Sequence, residues 1–517
     1  MRNEDQIVLQ LEQENQEGTR GFLAWIEKVG NKMPHPLAMF LWIIGIVMVL
    51  SFVVSKAGIT AISPNTGEII TVKNLISTDT FIDFMKNMTP NFQKFPVLGT
   101  VVVLATASGF AEKVGLFKTI IRMFLKDVTG NKIVFISAFI AACGQMFGDS
   151  AFLVIPLIVA AIFKGVNRHP VAGLVLGFAA VGGGYGSAVI PGGWDLILTP
   201  ITINSAKLID LNFDMTFMSG YYYTFMATFI IATTAAFVTI KFIEPRLGKY
   251  IPEGENIEDD EEVLTDEQKS AGKKALFGLG LFLLVIFGLC TPQSSPFRSP
   301  EGSLVFKAPL MASLQTIIVL FFFIPAVIYA KLTKQVTSFK ELTNILSEAV
   351  KGVAPFIVLA IVISQFLTFF ASSNLGTILA IKGGEFLKSL SVPTAIICML
   401  FLVLVSFINL FIVSGSAKYL IFGPVFVPML MQLGIHPAFT QVLYRMGDAM
   451  TNHLSPLNAF FVILLTLIQK YNKNVGMGTI FSYMVPYAIA YFIVISIFSL
   501  VWMFLGFAPG IGSTLWI

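Results

Sequence analysis

The chain has 517 residues, of which 55% are hydrophobic and only 12% charged, against roughly 25% charged in an ordinary soluble domain. Its 34 basic and 30 acidic residues give a formal charge of +4, with no dense Lys/Arg block or interleaved basic and aromatic patch, so nucleic acid is excluded as a partner. Cys143, Cys290 and Cys398 lie far apart without CxxC or Cys/His spacing, which argues against a disulfide framework or a zinc site.

Apolar runs recur through most of the chain, and the class they predict is an all-α integral membrane protein spanning the lipid bilayer. The segment 1–36 is acidic and polar rather than basic and then apolar, so it reads as a cytoplasmic N-terminal segment and not as a cleavable signal peptide. The first membrane half, 37–252, has spans near 37–55, 96–115 and 217–240, by the criterion of about 20 apolar residues per crossing. The loop 56–95 carries scattered apolar residues such as Phe81, Ile82 and Met85, suited to a short interfacial helix.

Two stretches of this half break the pattern. Residues 133–163 are too long for one crossing and have Gly148-Asp149-Ser150 at the middle; they read as a re-entrant hairpin, whose non-helical tip must be buried or face water. Residues 171–203 contain Gly182-Gly183-Gly184 and Pro191-Gly192-Gly193, so this span is a broken helix. A charged linker at 253–274 then reads as cytoplasmic and solvated.

The second half, 275–517, has spans near 275–290, 309–330, 353–373 and 480–507, a hairpin at 393–433 with its tip at Ser414-Gly415-Ser416, and a broken helix at 439–468 containing Gly447 and Pro456. The sum is about nine transmembrane helices plus two hairpins. Loop lysines and arginines, among them Lys118, Arg122, Lys132, Arg168 and Lys331, place the N-terminus in the cytoplasm of a multi-pass protein of the cell (inner or plasma) membrane.

The two halves resemble each other. Asp149-Ser150-Ala151, Pro156, His169-Pro170 and Pro191 recur as Gly415-Ser416-Ala417, Pro424, His436-Pro437 and Pro456. About five crossings separate the copies, an odd number, so the second copy is expected upside down; inverted repeats with hairpins and broken helices are the architecture of alternating-access secondary transporters.

Ionisable groups at mid-membrane cost on the order of 2.5–3.5 kcal/mol each on insertion scales, so those present need a partner, water or a task. They are Asp149, Asp195, Lys418, Arg445, Asp448 and His453. Arg445 and Asp448 share a helix face, continued by Asn452 and Ser455. The spacing suggests that Arg445 pairs with an anionic substrate while Asp448 takes a proton or orients the arginine. Asp195 is a proton carrier or substrate contact in unwound backbone, and Asp149 a cation ligand or helix cap. Lys418 is expected to snorkel to water, and His453 to hydrogen-bond inside the bundle. The hydroxyls of Ser150, Ser414 and Ser416, with Asn409 and Asn452, could coordinate sodium, the one cofactor considered; no firm metal site is read. Walker, GxSxG and HExxH motifs are absent, so the chain is not read as an enzyme.

Trp25 to Pro36 (WIEKVGNKMPHP), Ser414-Gly415-Ser416-Ala417, Val427-Pro428-Met429-Leu430 and Tyr444-Arg445-Met446-Gly447-Asp448-Ala449-Met450-Thr451-Asn452 resemble the AbgT family of p-aminobenzoyl-glutamate transporters over nearly the whole chain. The resemblance implies a homodimer with a basin open to the cytoplasm, and functional positions at Asp195, Ser416, Pro437, Arg445, Asp448 and Pro456. The family's tryptophan three residues after the hairpin serine is Tyr419 here, and Ala188 is followed by Val189 where the family has asparagine. The resulting expectation is a proton-coupled carrier of p-aminobenzoyl-glutamate and related p-aminobenzoate-like aromatic anions, as importer or as antiporter exporting antimetabolites such as sulfonamides. In it Arg445 holds a carboxylate, Tyr419 packs on the ring, and Asp195 or Asp448 handles protons. The alternatives are a sodium-coupled symporter of another organic anion, a passive channel and an intramembrane enzyme.

Overall fold

The computed structural model describes residues 36–62, 67–95, 98–125, 130–248, 264–304, 308–351, 353–389, 392–412, 414–455, 458–472 and 475–517. The motif from Trp25 to His35, most of the acidic linker and Pro456 lie outside them, as do the side chains of Asp149 and Ser150.

In chain order the helices are α1 (Pro36–Lys56), α2 (Thr78–Gln93), α3 (Leu98–Lys113), α4 (Leu116–Leu125), α5 (Asn131–Ala142), α6 (Ala151–Gly165), α7 (Pro170–Gly184), α8 (Gly193–Ala206) and α9 (Tyr221–Leu247). They continue as α10 (Asp266–Cys290), α11 (Pro309–Leu332), α12 (Phe339–Lys351), α13 (Ala354–Ser372), α14 (Leu375–Ser389), α15 (Thr394–Asn409), α16 (Gly415–Met431), α17 (Pro437–Thr451), α18 (Ala459–Gln469) and α19 (Met477–Leu505). Among the described residues α9, α10, α11 and α19 are each long and apolar enough to cross a bilayer alone, and α13 with α14 forms a pair bent by 62°. Lipid is the natural solvent for α10, where Phe277, Leu284 and Phe287 are 76%, 67% and 74% exposed, since no soluble surface leaves so continuous an apolar face in water.

Each stretch read as a hairpin or a broken helix holds two helices rather than one. A 3₁₀ segment, Cys143–Ser150, joins α5 to α6, and α15 ends at Asn409 shortly before α16 begins at Gly415. The first broken helix is α7 and α8 and the second is α17 and α18. Each begins identically: His169 and His436 are N-caps whose side chains accept the backbone N–H two residues on, with Pro170 and Pro437 at the first helical position, where proline's missing N–H costs nothing. The packing is reciprocal as well. The short half α8 lies on α16 of the other repeat, and α18 lies on α6.

Some elements had no clear signal in the sequence. The loop after α1 forms an antiparallel ribbon of β1 (Thr60–Ile62) and β2 (Ile69–Thr71), and α14 follows α13 where no span was read. α10 begins at Asp266, inside the segment read as linker, on a capping box in which Thr265 and Gln268 each satisfy the other's backbone N–H. Two amphipathic helices, α4 and α12, lie beside α3; α12 packs Leu342, Ile345 and Leu346 against the apolar cluster that includes Phe110, the i, i+3, i+4 stripe that makes a helix pack on one face.

Candidate functional site

The two breaks meet at α17. This helix can pass so close because the first break is made of glycine: a Cβ on Gly186 would lie 2.8 Å from Ala449 Cβ and 3.2 Å from the Arg445 carbonyl oxygen, while one on Gly184 would lie 2.2 Å from the Ala142 carbonyl oxygen of hairpin one. The chain that leaves α7 there exposes a backbone acceptor, the Ser187 carbonyl, to side chains from both hairpin one and α17.

Arg445, only 1% exposed, reaches into that break. Its Nη1 donates to Asp195 Oδ1 at 2.5 Å, and its Nη2 to Gln145 Oε1 at 3.3 Å and to the Ser187 carbonyl at 3.4 Å. Gln145 Nε2 also donates to the Ser187 carbonyl. Asp195 is the third residue of α8, and its Oδ2 accepts the Gly192 N–H at 2.9 Å; an anion is well placed at a helix N-terminus, where backbone N–H groups are unpaired. Among the described residues the Nε of Arg445 has no hydrogen-bond partner.

The pairing differs from the one read in sequence. Arg445 and Asp448 stand on neighbouring positions of α17 but take separate partners, because α17 is flanked by α8 on one side and hairpin two on the other. Arg445 goes to Asp195, and Asp448 goes to Lys418, whose Nζ lies 2.5 Å from Asp448 Oδ1. Lys418 does not snorkel: its side chain is fully buried, held by Asp448, by Asn409 Oδ1 at 2.6 Å and by the Ile412 carbonyl at 3.5 Å. His453 is also fully buried, but among the described residues neither ring nitrogen completes a hydrogen bond. The Met484 backbone faces it, and the ring packs edge-on to Tyr491, centroids 5.4 Å apart.

Tyr419, expected to offer a ring to substrate, is sealed in the core. Its hydroxyl shares a 2.7 Å hydrogen bond with Thr202 Oγ1, which also bonds Gln441, and its ring lies 4.4 Å from that of Tyr444. The accessible aromatic is one the sequence reading passed over, Trp194. It is half-buried, sits edge-on to Tyr185 at 5.4 Å, and covers the hairpin tip so closely that a Cβ on Gly415 would meet its ring at 2.2 Å. Its position next to Asp195 in an unwound segment was the available signal. Ser414 and Ser416 flank Gly415 at the start of α16; both are half-buried, and the Ser414 side chain makes no cap bond. Asn452 caps the far end of α17, and Ser455 bonds the Leu410 carbonyl at 3.0 Å. Pro437 stands at the opposite end of α17 from these groups, about 12 Å along the axis from Arg445. A cavity of about 500 Å³ between α2, α8, α13 and α16 is lined by Asn91, Lys94, Asn204, Ser205, Phe370 and Pro424, among others. Among the described residues no cluster of three or more His, Cys, Asp or Glu could hold a metal.

Paired, interrupted apolar helices with ion pairs buried beside the interruptions are an architecture suited to a multi-pass membrane transporter. The chain belongs to the AbgT putative transporter family, whose model matches residues 21–516. It is 31% identical over 488 residues to the p-aminobenzoyl-glutamate transport protein of Escherichia coli K12, covering 94% of this chain and 96% of that one. The fold is that of the YdaH transporter of Alcanivorax borkumensis, described as having an unusual topology, with a TM-score of 0.86 at 30% identity over 92% of this chain and all of that one. It is also that of Neisseria gonorrhoeae MtrF, described as illuminating a class of antimetabolite efflux pumps, with a TM-score of 0.88 at 28% identity over 96% and 100% of the two chains.

Proposed function

We propose that this protein is a proton-coupled secondary transporter of p-aminobenzoyl-glutamate and related p-aminobenzoate-like aromatic anions, working as a homodimer in the cytoplasmic membrane with its N-terminus inside. The observation that carries the reading is the buried Arg445–Asp195 pair. A guanidinium already paired with a carboxylate has little net charge left to draw a second one out of water, so it binds a further carboxylate far more tightly once the first is neutralised. A proton on Asp195 does that, leaving Arg445 with a full charge, an unpartnered Nε and a fork suited to bidentate carboxylate binding. Proton and anion then favour each other's binding, which by linkage makes anion affinity rise as pH falls.

Trp194 and the hydroxyls of Ser414 and Ser416 lie on the neighbouring hairpin tip, where an aromatic ring can stack and the open N-terminus of α16 favours a second carboxylate. The cavity of about 500 Å³ between α2, α8, α13 and α16 is large enough for such a molecule. The relation to the Escherichia coli transport protein supports the choice of substrate, and the relation to MtrF leaves export of antimetabolites within the same chemistry.

The test is uptake of labelled p-aminobenzoyl-glutamate by purified protein in liposomes, with proton and sodium gradients imposed separately. Accumulation against a gradient driven by protons alone is expected. Accumulation that requires sodium and ignores pH would replace this reading with sodium symport, and flux that never exceeds equilibrium would make the protein a channel.

A further inference from the structure

Lys418 is an unusual guest in a membrane core. A lysine there ordinarily reaches for water along its flexible stem, yet this ammonium is fully enclosed. Its surroundings are a set of oxygen acceptors from three separate segments: the Asp448 carboxylate on α17 at 2.5 Å, the Asn409 side-chain oxygen at the end of α15 at 2.6 Å, and the Ile412 carbonyl in the hairpin tip at 3.5 Å. The Tyr444 ring faces the ammonium at 5.7 Å. Asn409 is turned to present its oxygen, because its amide nitrogen is occupied by the Asp448 backbone carbonyl at 2.8 Å and by Thr451 Oγ1 at 3.3 Å.

A carboxylate, an amide oxygen and a freed backbone carbonyl are the ligands that hard cations take. The cage carries one formal negative charge, which a monovalent cation neutralises and a divalent one would exceed. We infer that this oxygen cage is a monovalent-cation site occupied permanently by the ammonium of Lys418, so that the protein works without sodium. The inference rests on the reading of the chain as an ion-coupled carrier and extends it to the coupling ion. A free ion entering this cage would fasten the first arm and the tip of hairpin two to α17 and release them on leaving. The tethered ammonium of Lys418 fastens these throughout and adds the second arm, α16, which carries it; that leaves the Arg445–Asp195 pair as the element that responds to an ion gradient.

The experiment is thermal unfolding of the purified full-length protein in NaCl, KCl and choline chloride at equal ionic strength, for the wild type, Lys418→Ala and Lys418→Ala/Asp448→Asn. The wild type should melt at one temperature in all three salts. Lys418→Ala empties the cage and should melt lower in choline but rise by roughly 2 °C or more in sodium, through preferential binding to the folded state. Methylammonium should substitute for sodium, and the double variant should respond to neither. Lys418→Ser carries the same series if Lys418→Ala does not accumulate. A wild type stabilised by sodium overturns the inference. So do single variants whose loss is equal in every salt, because that is what a purely structural ion pair predicts. The melts need no substrate, so failure to transport p-aminobenzoyl-glutamate would discard the substrate assignment and leave this result standing.

Discussion

Replacing Asp195 with asparagine tests the central pair while changing little else. The asparagine oxygen can still accept the Gly192 N–H that Asp195 Oδ2 accepts at 2.9 Å, so the start of α8 keeps its cap. What is lost is the counter-charge of Arg445. The pair is closed to solvent, with side chains 0% and 4% exposed, and the remaining acceptors of the guanidinium are two neutral oxygens at 3.3 and 3.4 Å. Charge centres about 4 Å apart at an effective dielectric near 20 interact by ~4 kcal/mol, which agrees with the 3–5 kcal/mol typically lost when one partner of a buried pair is removed. Asp195→Asn and Arg445→Gln should therefore each destabilise by about that much, while the double variant, with no charge to strand, should lose far less than the sum. The assay is a double-mutant cycle of unfolding free energies in detergent, read beside the pH dependence of transport. A coupling energy below about 0.5 kcal/mol, the scatter of independent sites, would refute the argument. So would an Asp195→Asn carrier whose transport still falls as pH rises.

Other expectations follow from single contacts. Trp194→Ala should raise the KM for an aromatic anion severalfold, whereas Tyr419→Phe should leave KM unchanged and cost only about 1 kcal/mol of stability through its lost hydroxyl bond; transport kinetics of the two variants checks this, and the reverse pattern would return the ring contact to Tyr419. Gly184→Ala sets a Cβ against the Ala142 carbonyl, a backbone atom that cannot rotate away, so a loss of about 1–3 kcal/mol or failure to accumulate is expected in a melt or an expression assay. At the start of α12, the Thr337 N–H and hydroxyl and the Ser338 N–H hold the Glu341 carboxyl below its usual range. The stability it gives that helix end is present above the ordinary glutamate pKa and lost as pH falls through the lowered one. Hydrogen exchange of the first turn should quicken with acidification in the wild type and be insensitive to pH in Glu341→Gln, relative to unstructured amides.

The membrane class, the hairpins and both broken helices were legible in the sequence because each depends on neighbours along the chain. Run length sets what can cross the hydrocarbon, glycine and proline clusters interrupt a helix locally, and His-Pro marks the same cap in both repeats. The ionisable residues of the site were equally legible, since a charge in an apolar run stands out wherever it points. Their partners were not. Arg445 and Asp448 are three positions apart, and a helix read alone pairs them; the fold separates them because α8, 250 residues away in sequence, brings Asp195 to one side, and Lys418 arrives from hairpin two on the other. Likewise, composition shows Tyr419 and Trp194 only as two aromatic residues. Which is sealed and which faces the tip was decided by how close the glycines let separate helices approach, a distance that no local pattern encodes.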